Sequence, residues 1–432
     1  MKILAVTSLY PPLHAGTHDH RCETICRNLA QRGHQIHVLT STWGLQTEQR
    51  DEDISRRLRL NGACGLPRVT DYGPVEELEL HNHAVLRETL AEFQPAVVHV
   101  FSLLGLSKSL IFTLHKAGVP HAFDVADGWL CPGLRDDPWL AFWNNPAANV
   151  RRSSLELTGR RNRLDATAPT RLTRGYDRVP ELYGPQVQPP PGGLAAFKFE
   201  RVSFVSPWLK ERAEAAGFRV QHAAITPPGV DTQVFFGAIR PPSAPVQKLL
   251  WAGVLDDGSG LETLHHALGR VRREGGRHSL TVYGRGESDL VARLRSLAIR
   301  QQLPVQFLTP NDQARDLAGV LRQHDAFLYT REEPEPWPRF LAEAMACGLP
   351  VICSETGATP TLVAHDHNGL TFRPGDEEQL AARITELGAD GDRRVRLAEA
   401  AQAHVDYHLN ETRILDATEQ FIEGTLEAWV IR

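Results

Sequence analysis

Two glutamates with seven residues between them, Glu335 and Glu343, carry the arrangement in this chain best suited to holding a ligand rich in hydroxyl groups. An apolar run at 326–329 (AFLY) precedes them, and an acidic loop at 332–335 leads into Pro338. Phe340, Leu341, Ala344 and Met345 then recur with helical spacing, Gly348 and Pro350 follow, and a second apolar run occupies 351–353. The apolar runs have the length of buried strands. Pro338 stands where a helix begins, because the missing proline N–H would have no partner in the first turn. Gly348 ends that helix and Pro350 prevents it continuing. The unit therefore reads strand, loop, helix, strand, with one acid ahead of the helix and one inside it. A helix N-terminus offers free N–H groups and a positive dipole end, which suit a phosphate. Glu335, in the loop, can accept hydrogen bonds from ligand hydroxyls. Glu343 can accept the two vicinal hydroxyls of a ribose. The plainer alternative is a solvated acidic loop at 332–335, with Glu343 paired to Arg339 four residues earlier.

The surrounding pattern extends well beyond the two acids. After Glu343 come the run AMACGLP ending at Pro350, then Gly357, NGL at 368–370 and PGD at 374–376. Together these resemble the donor site of the GT-B glycosyltransferases of family 4, the glycosyltransferase group 1 type. The resemblance covers roughly 1–41, 95–132 and 201–432. It implies an α/β chain of two Rossmann-like domains facing a central cleft. It implies a retaining, hexosyltransferase-like reaction of the polysaccharide-biosynthesis kind. The donor would be a nucleotide-diphosphate sugar (UDP or GDP), the acceptor a glycan, a small molecule or a lipid-linked sugar, and no cofactor or metal would take part. In that family the first Glu contacts the transferred sugar and the second the nucleotide ribose, roles the resemblance transfers to Glu335 and Glu343. Pro338, Arg339 and Phe340 fall on the donor side with them, as do Gly253, Gly284 and Arg285. A glycine-rich loop near the N-terminus lets backbone approach the donor phosphate in the family; here Gly16 keeps one glycine and Ala15 replaces the other. Asp127 follows an apolar run at 119–125, where strand ends face the ligand crevice of open α/β sheets. It can orient an acceptor hydroxyl or cap the following turn.

The chain departs from the family at defined positions. An Arg just after the glycine equivalent to Gly253, and a Lys five residues on, neutralise the donor diphosphate in the family; here they are Val254 and Ser259. Pro338 replaces a glycine and removes an N–H donor. Ala126 replaces a His before Asp127, although Trp129 and the pair Cys131-Pro132 are kept. Arg339 and Arg285 are the candidate substitutes for the missing cations. These departures hold open a second reading, a non-catalytic binding or scaffold protein on the same fold. A nucleotide-sugar epimerase is a third.

The remaining sequence sets bounds. A chain of 432 residues suits two domains better than one. The expected division is an acceptor-side domain at 1–237, a donor domain at 238–411 and a helix at 412–432 that packs back on the first. Strands at 2–8 and 36–39 flank a helix at 19–31, the beginning of a parallel sheet; another helix is expected at 81–93. A hydrophobic share of 42% is that of an ordinary globular protein. A net charge of −5 gives no support for nucleic-acid binding. The six cysteines form no CxxC pair and read as reduced thiols of a cytoplasmic protein. The first ten residues lack the apolar length and cleavage site of a signal peptide, and no run reaches the ~18 apolar residues of a spanning helix. Membrane contact would be peripheral, at the inner face. Residues 151–178 carry eight arginines, which suit an anionic acceptor, a membrane surface or a solvated face. His14, His18, His20, Cys22 and Cys26 fit no standard zinc spacing. The acidic run 51–53 mimics a DxD motif, but Arg56 and Arg57 follow and mark a solvated loop.

Overall fold

Apolar runs four to eight residues long, separated by helical segments, can bury both faces only in parallel sheets covered by helices. The computed structural model shows this arrangement twice. It describes all residues except 14–16, 70, 131–198, 216–219, 311–313 and 431–432. Gly16, the pair Cys131-Pro132 and the arginine-rich stretch 151–178 therefore lie outside the described residues.

The chain divides into two compact units, Met1–Thr226 with Leu415–Arg432, and Pro227–Ile414. In the first, the strands are β1 Lys2–Val6, β2 Gln35–Ser41, β3 Gln49–Arg50, β4 Ile54–Leu58, β5 Val97–Val100, β6 His121–Val125, β7 Phe199–Phe204 and β8 Val220–Ile225. They lie in the order β3-β4-β2-β1-β5-β6-β7-β8, parallel except for the short β3. In the second, β9 Lys248–Leu255, β10 Ser279–Gly286, β11 Val305–Leu308, β12 Ala326–Tyr329, β13 Val351–Ser354 and β14 Leu370–Phe372 lie in the order β11-β10-β9-β12-β13-β14, all parallel.

The second sheet shows why its strands read as unbroken apolar runs. Leu249, Trp251, Ala326, Leu328 and Ile352 enter the core on one face. Their neighbours Leu250, Ala252, Phe327, Tyr329, Val351 and Cys353 enter the core on the other. Side chains alternate across a strand, so burial of both faces needs apolar residues at every position.

Two elements of the first unit extend the sequence reading. The helix expected at 81–93 runs from Tyr72 to Phe93. Pro74 is tolerated because it falls in the first turn, and Val75 and Glu79 are buried, so tertiary contacts extend the helix backward. The last helix, Glu411–Val430, places Leu415 and Ile422 against Ile3, Ala5, Ile36, Val38 and Val97. Arg32 pairs with Asp416 and Glu419 beside them. Each buried aliphatic side chain contributes about 1.5–3 kcal/mol, whereas surface pairs contribute roughly 0–1. The apolar stripe therefore does most to hold this helix.

The first unit also buries charge. Arg21 donates to both oxygens of Asp124, at 3.0 Å from Nε and 2.8 Å from Nη2, and both side chains are almost wholly inside. Nearby, His99 is fully buried against Phe101 and Phe421, with neither ring nitrogen hydrogen-bonded among the described residues. Burial pushes its imidazole down to about 4. Between the ordinary imidazole value, about 6.5, and that value, the unfolded chain takes up a proton that the folded chain refuses. Stability is therefore complete above the ordinary value and falls as the pH drops toward 4. We expect His99 to account for about 2–3 kcal/mol of the loss between pH 7 and pH 4.5. Urea unfolding at the two pH values should show a smaller loss for His99→Leu than for wild type; equal losses would assign acid sensitivity to other groups.

Candidate functional site

The carboxyl ends of β9, β10, β12 and β13 sit side by side, the edge of an open α/β sheet where ligands bind. Gly253 and Gly284 are register partners there, as are Val254 and Arg285. A Cβ on Gly284 would lie 2.1 Å from the Gly253 carbonyl oxygen, and one on Gly253 would lie 2.8 Å from the Trp251 indole. Both glycines therefore have a packing reason to be glycine. Arg285 donates from Nη2 to the Pro310 carbonyl at 2.6 Å.

After β9 the chain passes Asp256 and makes a single 3-10 turn, Asp257–Ser259, before the helix Leu261–Arg273. Val254 and Ser259, the two positions singled out in this loop by the sequence, differ in setting. Val254 is 57% exposed and Ser259 is 2% exposed. The Ser259 carbonyl accepts the Thr330 hydroxyl at 3.0 Å, and the Thr330 oxygen accepts the Trp251 indole N–H at 3.1 Å. The end of β12 and the β9 loop are thus joined where a lysine would have to enter.

Glu335 is held from several sides. Its Oε2 accepts the Tyr329 hydroxyl at 2.5 Å, and its Oε1 makes an ion pair with Nε of the buried Arg331 at 2.8 Å. Arg331 also donates from Nη1 to both oxygens of Asp256, at 3.0 and 3.2 Å. The Glu335 carbonyl accepts the Ala358 N–H at 3.1 Å. Gly357 adopts φ +55°, and a Cβ there would come within 2.4 Å of the Glu335 carbonyl oxygen, so close approach as well as dihedral favours glycine. Burial raises the Glu335 carboxyl above the ordinary carboxylate range, while Arg331 and the Tyr329 hydroxyl pull it back. Burial and the neighbouring Glu335 hold the Tyr329 phenol protonated, well above its usual range.

The next helix is Arg339–Ala346. Pro338 is its N-cap rather than its first helical residue, so the helix starts one position later than the sequence reading. The reason is visible in the hydrogen bonds, because the Pro338 carbonyl accepts the N–H groups of Leu341 and Ala342, as an N-cap carbonyl does. The Arg339 N–H turns to the Trp337 carbonyl, so a phosphate at this terminus would compete for N–H groups already engaged. Trp337 and Phe340 are half-buried against the core. Glu343 is buried, and its Oε1 accepts Arg339 Nε at 2.6 Å. Its Oε2 is buried without a partner among the described residues. Burial raises this carboxyl and Arg339 opposes the shift. The Arg339–Glu343 pair of the plainer sequence alternative does form, but only the arginine, 38% exposed, reaches solvent.

Asp127 lies in the first unit. Its Oδ1 accepts the Trp129 N–H at 2.8 Å and its Oδ2 the Ser102 hydroxyl at 3.1 Å, so the turn-capping role is present. Sequence reasoning missed Tyr329, Arg331 and Asp256. The available signal was a lone arginine four residues before Glu335. A cavity of about 460 Å³ lined by Lys248, Ser279, Thr281 and Gln323 lies at the opposite, amino-terminal ends of β9 and β10 and contains none of these site residues.

Residues 243–404 match the family of glycosyl transferases group 1, and residues 16–156 match the glycosyl transferase 4-like domain. The chain belongs to the group 1 glycosyltransferases. It is 23% identical over 446 residues to a glycogen synthase of Mycobacterium tuberculosis, covering 97% of this chain and 94% of that one. Among solved structures it resembles sucrose-phosphate synthase from Thermosynechococcus elongatus, with a TM-score of 0.66, 16% identity and coverage of 99% and 100%. It also resembles Anabaena HepE in complex with UDP and glucose, with a TM-score of 0.63, 17% identity and coverage of 98% and 100%. These likenesses establish the GT-B fold.

In this glycosyltransferase Gly253, Gly284, Arg285, Glu335, Pro338, Arg339, Phe340 and Glu343 all fall within the group 1 segment, and Asp127 within the 4-like segment. The settings of positions 254 and 259 are separable by experiment. Ser259→Lys should destabilise the protein by about 3 kcal/mol or more, because it places an unpaired ammonium in a buried site. Val254→Arg should change stability by no more than ~0.5 kcal/mol. Chemical denaturation of the two variants compares them directly, and similar effects would contradict the packing described at Ser259.

Proposed function

We propose that this enzyme transfers a sugar from a nucleotide-diphosphate sugar, with the ribose on Glu343 and the transferred sugar on Glu335. The observation that carries the reading is the buried, unpartnered Oε2 of Glu343. An unsatisfied buried acceptor costs about 1–3 kcal/mol, and a ribose hydroxyl would remove that cost. HepE, a neighbour in fold, was solved with UDP and glucose, which makes UDP the first nucleotide to try. Arg339 spends Nε on Glu343; its two amino groups are what it offers a donor phosphate. In the first unit, the Asp127 carboxylate, held by the Trp129 N–H and the Ser102 hydroxyl, is the group proposed to orient an acceptor hydroxyl. The acceptor class proposed is a glycan, a small molecule or a lipid-linked sugar. No helix among the described residues is long and apolar enough to cross a membrane, and contact with a lipid-linked acceptor would be peripheral.

The proposed reaction retains configuration by front-side displacement. The bond from the anomeric carbon to the phosphate oxygen breaks as the acceptor oxygen bonds to the same face. The acceptor's proton passes to the departing phosphate oxygen, and charge that develops on the phosphate is stabilised electrostatically. Glu335, held by Tyr329 and Arg331, anchors the sugar hydroxyls so that the anomeric carbon stays in line. Retention is checked by the anomeric configuration of the product.

The two glutamates should separate in measurement. Glu343→Ala should weaken UDP binding at least tenfold by calorimetry, about 1.4 kcal/mol. Glu335→Ala should leave UDP affinity within roughly twofold, about 0.4 kcal/mol, while turnover of the sugar nucleotide collapses. Unchanged UDP affinity in a folded Glu343→Ala protein would remove the ribose assignment.

A further inference from the structure

We infer that Arg331, clamped by Asp256, is the positioning residue that holds Glu335 in the orientation its role requires. The inference rests on the proposed contact of Glu335 with the transferred sugar. Three consecutive residues at the end of β12 are tied down in different directions. The Tyr329 hydroxyl goes to Glu335, the Thr330 hydroxyl to the Ser259 carbonyl, and the Arg331 guanidinium to Asp256 and Glu335. Arg331 is buried, so its side chain has little freedom to reach anything else. Asp256 lies 75 residues earlier, in the loop after β9. Through this contact Arg331 brings a positive charge to the loop whose positions 254 and 259 carry none.

The charged and titratable groups facing Glu335 are Arg331 in its own loop, Tyr329 at the end of β12 and Asp256 beyond β9. Gly357 and Ala358 bring only backbone. One cation therefore serves two acids. Without it, Glu335 would face Asp256 across a partly buried site and retain a proton. A protonated carboxyl becomes a hydrogen-bond donor and gives up acceptor capacity. Its Oε2 accepts the Tyr329 hydroxyl and its Oε1 faces Arg331 as an ion pair, so Glu335 keeps acceptor capacity on both oxygens for two neighbouring hydroxyls of one sugar ring.

This arrangement predicts pH shifts of opposite sign. Losing the cation should raise the pH at which Glu335 takes its proton; losing the neighbouring acid should lower it. Protonation can be followed without ligand on the full chain, through the infrared carboxyl band that Glu335→Gln abolishes. Arg331→Met should move the midpoint up by about one pH unit or more. Arg331→Lys should keep it near wild type, and Asp256→Asn should move it down. In parallel, UDP release from UDP-glucose should fall in Arg331→Met with its acid limb displaced upward, while UDP affinity stays within about twofold. An unmoved midpoint in Arg331→Met, or UDP affinity falling as far as turnover, would overturn the clamp. Midpoints that move as expected, together with wild-type UDP release in Glu335→Gln, would instead overturn the sugar role of Glu335 and leave the clamp standing. Thermal melts of Arg331→Lys and Asp256→Asn provide folded comparators should Arg331→Met fail to fold.

Discussion

Two carboxylates, Glu343 buried and Glu335 half-buried, organise the polar contacts of the second unit. Glu343 sits in a helix whose other side chains, Leu341, Ala342, Ala344 and Met345, fill the core of the second unit. It has one oxygen on Arg339 and the other on nothing among the described residues. A buried charge survives only when it is paired and hydrogen-bonded, and breaking such a pair typically costs 3–5 kcal/mol. Helix register, placement of Arg339 one turn earlier and packing of the flanking residues all have to agree for Glu343 to stay where it is. The orphan oxygen is then a cost in the free protein that a ligand hydroxyl can offset.

Glu335 solves the same problem in a loop, without helical spacing to supply its partner. Its partners come from the end of β12 and from the turn at 356–358, and Asp256 beyond β9 holds one of them, Arg331. Gly357 must lack a side chain for the turn to close on the Glu335 backbone. The β9 loop is fixed by Thr330 on one side and Arg331 on the other. The two acids are thus positioned differently: Glu343 by the core, Glu335 by polar contacts that converge from separate elements. Contacts of the second kind respond more readily to charge substitution, because no apolar packing compensates for their loss.

The first unit handles buried polarity in a contrasting way. Arg21 and Asp124 satisfy one another almost completely out of solvent, with Thr226 accepting a further bond from Arg21. His99 instead remains neutral in an aromatic setting. His99 leaves both ring nitrogens unmet among the described residues, but the Arg21–Asp124 pair needs no ligand to complete it. This separates a structural buried charge from the Glu343 carboxylate, whose remaining oxygen is still unmet.

Much of this was legible in the chain itself. Apolar runs such as 326–329 and 351–353, punctuated by Pro338, Gly348 and Pro350, specify the strand–loop–helix–strand unit because such signals are local and periodic. The spacing of Glu335 and Glu343, with the run that follows, was enough to resemble the donor site of a group 1 glycosyltransferase. The Arg339–Glu343 pair was also available as an alternative, since four residues along a helix is one turn. The sequence did not contain the partners of Glu335, the burial of Ser259 beside an exposed Val254, or the earlier start of the helix at Tyr72. Asp256 and Arg331 are 75 residues apart, and Ser259 and Thr330 are 71. Composition and periodicity record which face of an element is apolar. Which distant polar groups meet there is decided only when the sheet closes, because a lone arginine or serine carries no mark of the partner that folding will bring to it.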